Sequence, residues 1–157
     1  MISFEIDKAK FNYRVGGVAA HGDQVLLQYT ELDPFWVLPG GRVEIMESAA
    51  DAAKREMAEE LGIEVAVERL LWTVENFFTY DGQPFHEIGL YFLVNLPEVS
   101  AFSNLEGILE TSDEHGLKHY TGWRSLDGLD DLDVRPAFLR TALKSLPDQP
   151  MHIVHTG

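Results

Sequence analysis

The sequence predicts an α/β protein of the α+β type, in which helices cover both faces of a central sheet. The central strand is identified from residues 86–94, where apolar side chains occupy both alternating faces, as in a strand that is covered on two sides. A helix is identified over residues 48–61, where apolar residues recur at helical spacing. The length of 157 residues and the apolar fraction of 45% suit one domain over residues 1–157.

The composition restricts the partners and the compartment. Twelve Lys and Arg stand against 26 Asp and Glu, which gives a formal net charge of -14 and disfavours nucleic acid or a membrane as a partner bound by bulk attraction. The absence of Cys excludes disulfides, thiolate metal sites and a cysteine nucleophile. The N-terminal segment MISFEIDKAKFNYR has no apolar core of a signal peptide, and no run reaches the roughly 18 apolar residues of a membrane span. We therefore expect a soluble cytoplasmic protein.

The N-terminal part of the chain predicts strands that lead into a shaped loop. Residues 1–12 mix apolar, polar and charged side chains and predict a short edge strand or arm. Runs rich in Val, Leu and Tyr over residues 13–20 and 24–29 flank His21-Gly22-Asp23, turn chemistry that predicts a hairpin. The next apolar run ends at Pro39-Gly40-Gly41, where the glycines permit a backbone course that side chains would block.

The helix carries more carboxylates than an ordinary surface helix. Ser48 followed by Asp51 is a capping-box-like start, and Gly62 marks the stop. The predicted buried stripe consists of Ala50, Ala53, Met57 and Leu61. Residues three and four apart share a helix face, which places three carboxylates close together: Glu56, Glu59 and Glu60. This cluster predicts a bound cation, and its hard oxygen atoms suit Mg²⁺ or Mn²⁺ rather than zinc.

The remainder of the chain predicts strands, a loop and a closing helix. We expect one or two strands over residues 65–78, with a bend or bulge near Glu75 and Asn76, and a last strand over residues 119–123. Acidic and polar residues over 97–117 predict a mobile loop near the site. A closing helix is expected over residues 136–146, with proline in its first turn. The tail over residues 152–157 shows no evident role.

The spacing of the central stretch is more specific than that of an acidic helix. Gly41 is followed after five residues by Glu47 and, after seven more, by the run REMAEELGI, which begins at Arg55 and ends at Ile63. With seven fixed residues near 7% usage each, a chance match is on the order of one in a billion per window. The pattern resembles the Nudix box at every defining position, and the lead-in over residues 36–44 matches what usually precedes the box. The chain departs from common boxes at Met46, where glycine is usual but not defining.

The resemblance implies the Nudix fold, an α/β/α sandwich with a mixed central sheet, and the activity of a Nudix-type pyrophosphohydrolase. Such an enzyme cleaves the diphosphate linkage of a nucleoside diphosphate joined to another moiety X, by water attack at phosphorus, and requires Mg²⁺ or Mn²⁺. By similarity, Glu56 and Glu60 are metal ligands, Glu59 is a further ligand or holds the water, and the Gly41 carbonyl is another oxygen donor. Arg55 is implied to orient Glu56, and Glu47 could brace Arg55 or bind an additional metal.

Outside the box the assignments are less specific. The family often takes its general base from a downstream strand or loop, and Glu87 is the first choice, ahead of Glu75 and Glu114; a box carboxylate is the other option. Arg14 and Arg42 are the cations expected nearest the phosphates, and Gly40 helps to shape the loop against the diphosphate. Aromatic side chains are expected to stack a base, in the first place Phe77 and Phe78, with further choices at Tyr80, Phe85 and Trp123.

Two classes of function compete. The leading hypothesis is hydrolysis of a (deoxy)nucleoside triphosphate, ADP-ribose or a dinucleotide polyphosphate. The alternative is a non-catalytic Nudix-fold nucleotide-binding or sensor module, whose signature would be the loss of a metal carboxylate, and the chain retains all of them. A prenyl diphosphate isomerase of this fold would need a catalytic Cys, which the chain lacks. We expect a monomer or a small homo-oligomer.

Overall fold

The computed structural model describes residues 1–98, 102–103 and 106–157. The described residues form these strands: β1 (Ser3–Ile6), β2 (Ala9–Val18), β3 (Ala20–His21), β4 (Gln24–Thr30), β5 (Asp33–Val37), β6 (Gly40–Arg42), β7 (Ala66–Tyr80), β8 (Gln83–Asn95), β9 (Leu109–Ser112), β10 (Lys118–Ser125) and β11 (Met151–Thr156). The helices are α1 (Ala49–Leu61), a 3₁₀ helix (Leu126–Asp131) and the short α2 (Leu139–Ala142).

The strands form two sheets. In the described part of the chain, the larger sheet has the order β1-β2-β8-β7-β11, with β6 also paired to β2. This sheet is mixed, because β2 runs parallel to β8 and β11 runs parallel to β7, whereas β7 and β8 are antiparallel. The smaller sheet is antiparallel and has the order β3-β4-β10-β9, with β5 paired to β4.

Helix α1 begins and ends as its sequence predicts. The Ser48 hydroxyl accepts a hydrogen bond from the backbone N–H of Asp51 at 3.1 Å. Gly62 adopts a φ of 67°, and its N–H donates to the carbonyl of Ala58 at 3.0 Å, which closes the helix. One position of the predicted stripe is wrong: Ala50 lies in the first turn and is only partly buried, and Ala52 is fully buried in its place.

Strand β8 separates two apolar clusters, as its two-sided pattern predicts. Phe92 and Val94 pack with the buried face of α1, whereas Tyr91 packs with the segment that contains the 3₁₀ helix and α2. Burial of these side chains is the main favourable term that holds the layers together. The result is an α/β/α sandwich with a mixed central sheet, which confirms the expected fold class.

Several long-range pairings differ from the expectation. The hairpin around Gly22 and Asp23 is confined to β3 and the start of β4. Strand β2 does not belong to this hairpin, because it pairs with β8 in the larger sheet. The bulges of β7 lie between Val67 and Arg69 and between Leu70 and Trp72, whereas Glu75 and Asn76 pair regularly with β8. Pairing over such separations depends on tertiary contacts rather than on local pattern.

The C-terminal part also differs from the expectation. The closing α-helix is confined to Leu139–Ala142 and is flanked by single turns. The tail forms β11, an edge strand beside β7. Of the loop expected over residues 97–117, part forms β9, and residues 99–101 and 104–105 lie outside the described residues.

Candidate active site

The loop before α1 approaches its neighbours at two glycines. Gly40 and Gly41 lie in β6, opposite Gly16 and Val15 of β2. A Cβ atom on Gly40 would overlap the carbonyl oxygen of Val15, and one on Gly41 would overlap the carboxylate of Glu56. Glycine is therefore needed for close approach at both positions, and the Glu56 carboxylate lies directly against the loop backbone.

Arg55 holds the acidic side chains around it. Its Nε and Nη2 donate to the two carboxylate oxygens of Glu47 at 2.7 and 2.9 Å, and Nη1 donates to Glu56 at 3.0 Å and to Glu59 at 3.1 Å. Nη2 also donates to the carbonyl of Arg42 at 3.0 Å, which links α1 to the loop. A guanidinium group has five N–H donors, so these contacts engage all of them and leave none for a substrate.

The same contacts stabilise the charged forms of the Arg55–Glu47 pair. The hydrogen bonds to Glu47 raise the pKa of Arg55 above its ordinary value against the opposing effect of burial. The hydrogen bonds from Arg55 lower the pKa of Glu47. This bidentate pair is a rigid brace at the start of the site.

Glu60 lies beneath the loop and is held by neutral donors. The Gln28 side chain donates from Nε2 to Glu60 Oε2 at 3.1 Å, and the nearby backbone of Gly40 also favours the charged form of this carboxylate. Burial outweighs these donors and raises the pKa of Glu60 to about 8. Burial also raises the pKa of Glu56, although Arg55 donates to it. Both charged carboxylates would be stabilised by a nearby cation.

The donor set fits a hard divalent cation. Carboxylates and a loop carbonyl are the oxygen ligands that Mg²⁺ and Mn²⁺ prefer, and the glycine at position 41 leaves the Glu56 oxygens against the backbone. Within the described residues, no three acidic or histidine side chains already converge as a metal cluster. Arg55 holds Glu59 outward, where its side chain is 60% exposed. A rotation of the Glu59 side chain would therefore accompany binding.

A cleft of about 940 Å³ opens beside the loop. Its floor is one face of the larger sheet, where alternate residues of four strands point inward: Lys10, Asn12, Arg14, Asn76, Phe78, Tyr80, Phe85, Glu87, Tyr91 and His155. The opposite wall comes from β5 and from the segment before α2, and includes Phe35 and Arg135. The volume is in the range of small-molecule sites.

Arg14 connects the cleft to the box. Its Nη1 lies 4.0 Å from Oε2 of Glu87, which is 4% exposed and accepts a hydrogen bond from Asn12 at 3.4 Å. Burial lowers the pKa of Arg14, but the charges of Glu87, Glu60 and Glu56 outweigh burial and keep this pKa above its ordinary value. Arg14 is thus within electrostatic reach of both groups of carboxylates.

Arg42 is the cross-strand neighbour of Arg14 and also lines the cleft. Burial, followed by repulsion from Arg14, lowers the pKa of Arg42. Two neighbouring guanidinium groups at the junction of the loop and the cleft form a site that suits an anion such as a phosphate.

Aromatic rings lie at the other end of the cleft. The Phe78 and Phe85 rings stack with centroids 5.0 Å apart, and the Tyr80 ring meets the Phe85 ring edge-on at 6.0 Å. Across the cleft, the Arg135 guanidinium lies 4.1 Å from the centroid of the Phe35 ring. The Tyr80 hydroxyl donates to Asp33 at 2.7 Å, which ties the floor to the opposite wall.

The structure does not bring Phe77 to the cleft. Because side chains alternate along β7, Phe77 points to the opposite face of the sheet from Phe78. There its ring centroid lies 4.5 Å from that of His86, and the side chain borders solvent. Trp123 lines a separate cavity of about 300 Å³, where its indole N–H donates to the carbonyl of Phe102 at 3.0 Å. Neither ring is placed to stack a base in this cleft.

A model of the NUDIX domain family matches residues 10–145. The chain belongs to the Nudix family. The glycine loop, Arg55 and the three carboxylates described above are its Nudix box, and the cleft opens beside them.

Named relatives match parts of the chain. Low-salt glycan biosynthesis protein Agl8 from Haloferax volcanii is 41% identical over 64 residues, which cover 39% of this chain and 41% of that protein. The 8-oxo-dGTP diphosphatase of Proteus vulgaris is 34% identical over 77 residues, which cover 46% of this chain and 69% of that protein. For the first three curated relatives, the match covers 41%, 24% and 34% of their length, less than half in each.

A solved structure agrees over most of the chain. The ADP-ribose pyrophosphatase from Streptococcus suis superposes with a TM-score of 0.62 at 17% identity and covers 92% of this chain and 98% of its own. At this identity the likeness shows the fold. As a separate finding, none of the helices in the described ranges is long and apolar enough to cross a membrane.

Several residues of this Nudix site are not evident from the sequence. Gln28 contacts Glu60, and Asn12 contacts Glu87. His155 of the tail lines the cleft, where its Nδ1 lies 2.9 Å from Oδ1 of Asn76. A signal existed for Gln28, since a lone polar residue within the apolar run over 25–29 is unusual for a buried strand.

The second and third choices for a general base lie away from the cleft. Glu75 pairs with His152 at 2.7 Å. Glu114 pairs with His115 at 3.3 Å in an exposed turn. Glu87 is therefore the one of the three choices that faces the cleft.

Proposed function

We propose that this protein is a metal-dependent hydrolase that cleaves the diphosphate linkage of a nucleoside diphosphate joined to another moiety X. The observation that carries the proposal is the juxtaposition of a complete carboxylate box with a cleft that has cations at its near end and aromatic rings at its far end. Such a cleft suits a molecule with phosphates at one end and a planar ring at the other.

In this proposal, Mg²⁺ or Mn²⁺ binds to Glu56 and Glu60, with Glu59 and the Gly41 carbonyl as further oxygen donors. When bound, the ion neutralises phosphate charge and lowers the pKa of a water molecule. Arg55 acts on Glu56 and Glu59 rather than on the substrate, because its donors are engaged within the protein. Its role is to fix the direction of the carboxylates.

The diphosphate is held by Arg14 and Arg42, which lie where the cleft meets the loop. Gly40 supports this loop by its close approach to Val15. Water attacks one phosphorus atom, the bond from that phosphorus to the bridging oxygen breaks, and a nucleotide and a second phosphorylated product leave. Glu87 faces the cleft and is proposed to take the proton of the attacking water; a box carboxylate is the other group that could take it.

The base is proposed to bind at the aromatic end of the cleft. Phe78, Phe85 and Tyr80 form the floor there, and Phe35 with Arg135 forms the opposite wall. Relatives carry the names 8-oxo-dGTP diphosphatase and putative ADP-ribose pyrophosphatase. Nucleoside triphosphates, ADP-ribose and dinucleotide polyphosphates are therefore the first compounds to test.

A substrate screen tests the proposal. The protein is incubated with each compound in Mg²⁺ or Mn²⁺, and the products are treated with a phosphatase so that released phosphate reports cleavage. We expect cleavage of at least one nucleoside diphosphate compound, and none when the metal is chelated. Binding of such compounds without cleavage would overturn the proposal and favour the nucleotide-binding or sensor module.

A further inference from the structure

Gln28 is a buried amide in the middle of β4 with partners on both sides. Its side chain is 4% exposed, in a strand whose neighbours Val25, Leu26 and Leu27 are buried apolar residues. A buried amide without partners costs free energy, so its presence in this strand requires an explanation. The explanation lies in the two contacts at the ends of the amide.

The amide links the smaller sheet to the box. Nε2 of Gln28 donates to Oε2 of Glu60 at 3.1 Å. Its Oε1 accepts from the hydroxyl of Thr121, a fully buried residue of β10, at 3.5 Å. Thr121 and Gln28 are direct cross-strand partners. The Glu60 carboxylate, which only accepts, requires the NH₂ end of the amide to face it, and the Thr121 hydroxyl donates to the amide oxygen at the other end.

We infer that Gln28 is a positioning residue of the active site, which acts through Glu60 and sets the direction of that carboxylate toward the metal. The inference rests on the proposed function for the identity of the metal site. Gln28 does not line the substrate cleft, so its effect falls on metal binding and turnover rather than on substrate binding. Residues that orient metal ligands in this way typically change metal affinity or activity by about 10- to 100-fold.

The test is the variant Gln28→Met, which keeps the length and volume of the side chain but removes the donor. Mn²⁺ binding is followed by the electron paramagnetic resonance signal of the free ion, which needs no substrate. We expect the dissociation constant of Mn²⁺ to rise about 10- to 100-fold and kcat to fall, with KM for the substrate changed less than about threefold. Thr121→Val, which leaves Gln28 in place but removes the hydroxyl that donates to its Oε1, should weaken Mn²⁺ binding about 2- to 5-fold.

Gln24→Met is the matched control. Gln24 lies on the same strand, and its Oε1 is buried without a hydrogen-bond partner among the described residues. Since Gln24 lies at the far end of β4, opposite Ser125 rather than Thr121, this variant is expected to bind Mn²⁺ within about twofold of the unaltered protein. Equal weakening by Gln24→Met and Gln28→Met would show a general effect of altering β4 and overturn the inference.

A double-mutant cycle tests whether Gln28 affects metal binding through Glu60. If Gln28 acts through Glu60, Gln28→Met added to Glu60→Gln should change Mn²⁺ affinity by less than about twofold. Unchanged Mn²⁺ affinity in Gln28→Met alone, or additive losses in the double variant, would contradict the inference. These outcomes leave the proposed function standing, whereas absence of Mn²⁺ binding by the unaltered protein would overturn the proposed metal site and the inference together.

Discussion

Replacing Glu60 with Gln should remove turnover and yet stabilise the metal-free protein at alkaline pH. Burial raises the pKa of Glu60 to about 8, so its proton is bound more tightly in the folded than in the unfolded state. A carboxyl group of this kind contributes most to stability at low pH, and its contribution is lost as the pH rises from 4.5, the reference value, through about 8. Above that range the folded protein bears the cost of a buried charge.

The size of the stability change follows from the pKa shift of Glu60. One pKa unit corresponds to about 1.36 kcal/mol, so the full shift of Glu60 amounts to about 5 kcal/mol as an upper bound. The amide oxygen that Glu60→Gln introduces can still accept from Nε2 of Gln28, so this donor keeps its partner. Because water and side-chain rotation relieve part of the cost, we expect a gain of about 1–3 kcal/mol, which corresponds to an increase in Tm of roughly 2–10 °C.

The assay is urea or thermal unfolding in a chelator at about pH 5.5 and about pH 8.5, the first near the lower end of the range over which the contribution of Glu60 is lost and the second above it. Glu60→Gln should unfold later than the unaltered protein at the higher pH, and the difference should shrink at the lower pH. Glu59→Gln, which alters a carboxylate that is 60% exposed, is the control and should change the unfolding free energy by less than about 0.5 kcal/mol. A Glu60→Gln variant that is equally or less stable at the higher pH would refute the account of Glu60 as a strained buried charge.

Three further predictions concern the loop and the cleft. Gly41→Ala should displace the Glu56 carboxylate and weaken Mn²⁺ binding about tenfold or more, with little change in Tm. Gly40→Ala, whose added Cβ would meet the Val15 carbonyl, should instead lower the free energy of unfolding by about 1–3 kcal/mol. Equal losses of Tm in the two variants would contradict this contrast. Met46 has a φ of 64° and is 99% exposed, so Met46→Gly should raise Tm by about 1–4 °C and Met46→Ala should not. Glu87→Gln should lower kcat about 100-fold if Glu87 is the base, and a loss below about tenfold would assign it to positioning Arg14 instead.

The Nudix box could be predicted because residues close together in the sequence determine its structure. A cap at Ser48, a stop at Gly62 and fixed helical spacing determine which carboxylates share a face, and no distant contact is needed to know it. The departure at Met46 has a local explanation as well. The structure holds this residue in the left-handed conformation, which glycine adopts at lower cost, so Met46 satisfies the geometry of the loop at some expense in stability.

The cleft was only partly predictable because its walls come from distant segments. The sequence indicated aromatic residues near position 77, but the choice between Phe77 and Phe78 depends on the register of β7 beside β8. The pairing of β2 with β8 places Asn12 beside Glu87. Such pairings join residues far apart in the chain and leave no trace in local pattern. The same holds for His155, which reaches the cleft because the tail adds a strand to β7.

The most direct test of the central claim is hydrolysis in water enriched in ¹⁸O, with the products analysed by mass spectrometry. Attack of water at phosphorus predicts two phosphorylated products, one of which carries a single ¹⁸O atom on phosphorus, and formation of both only with Mg²⁺ or Mn²⁺ present. Folded, metal-loaded protein that leaves every nucleoside diphosphate compound intact, or places ¹⁸O on carbon, would contradict the claim.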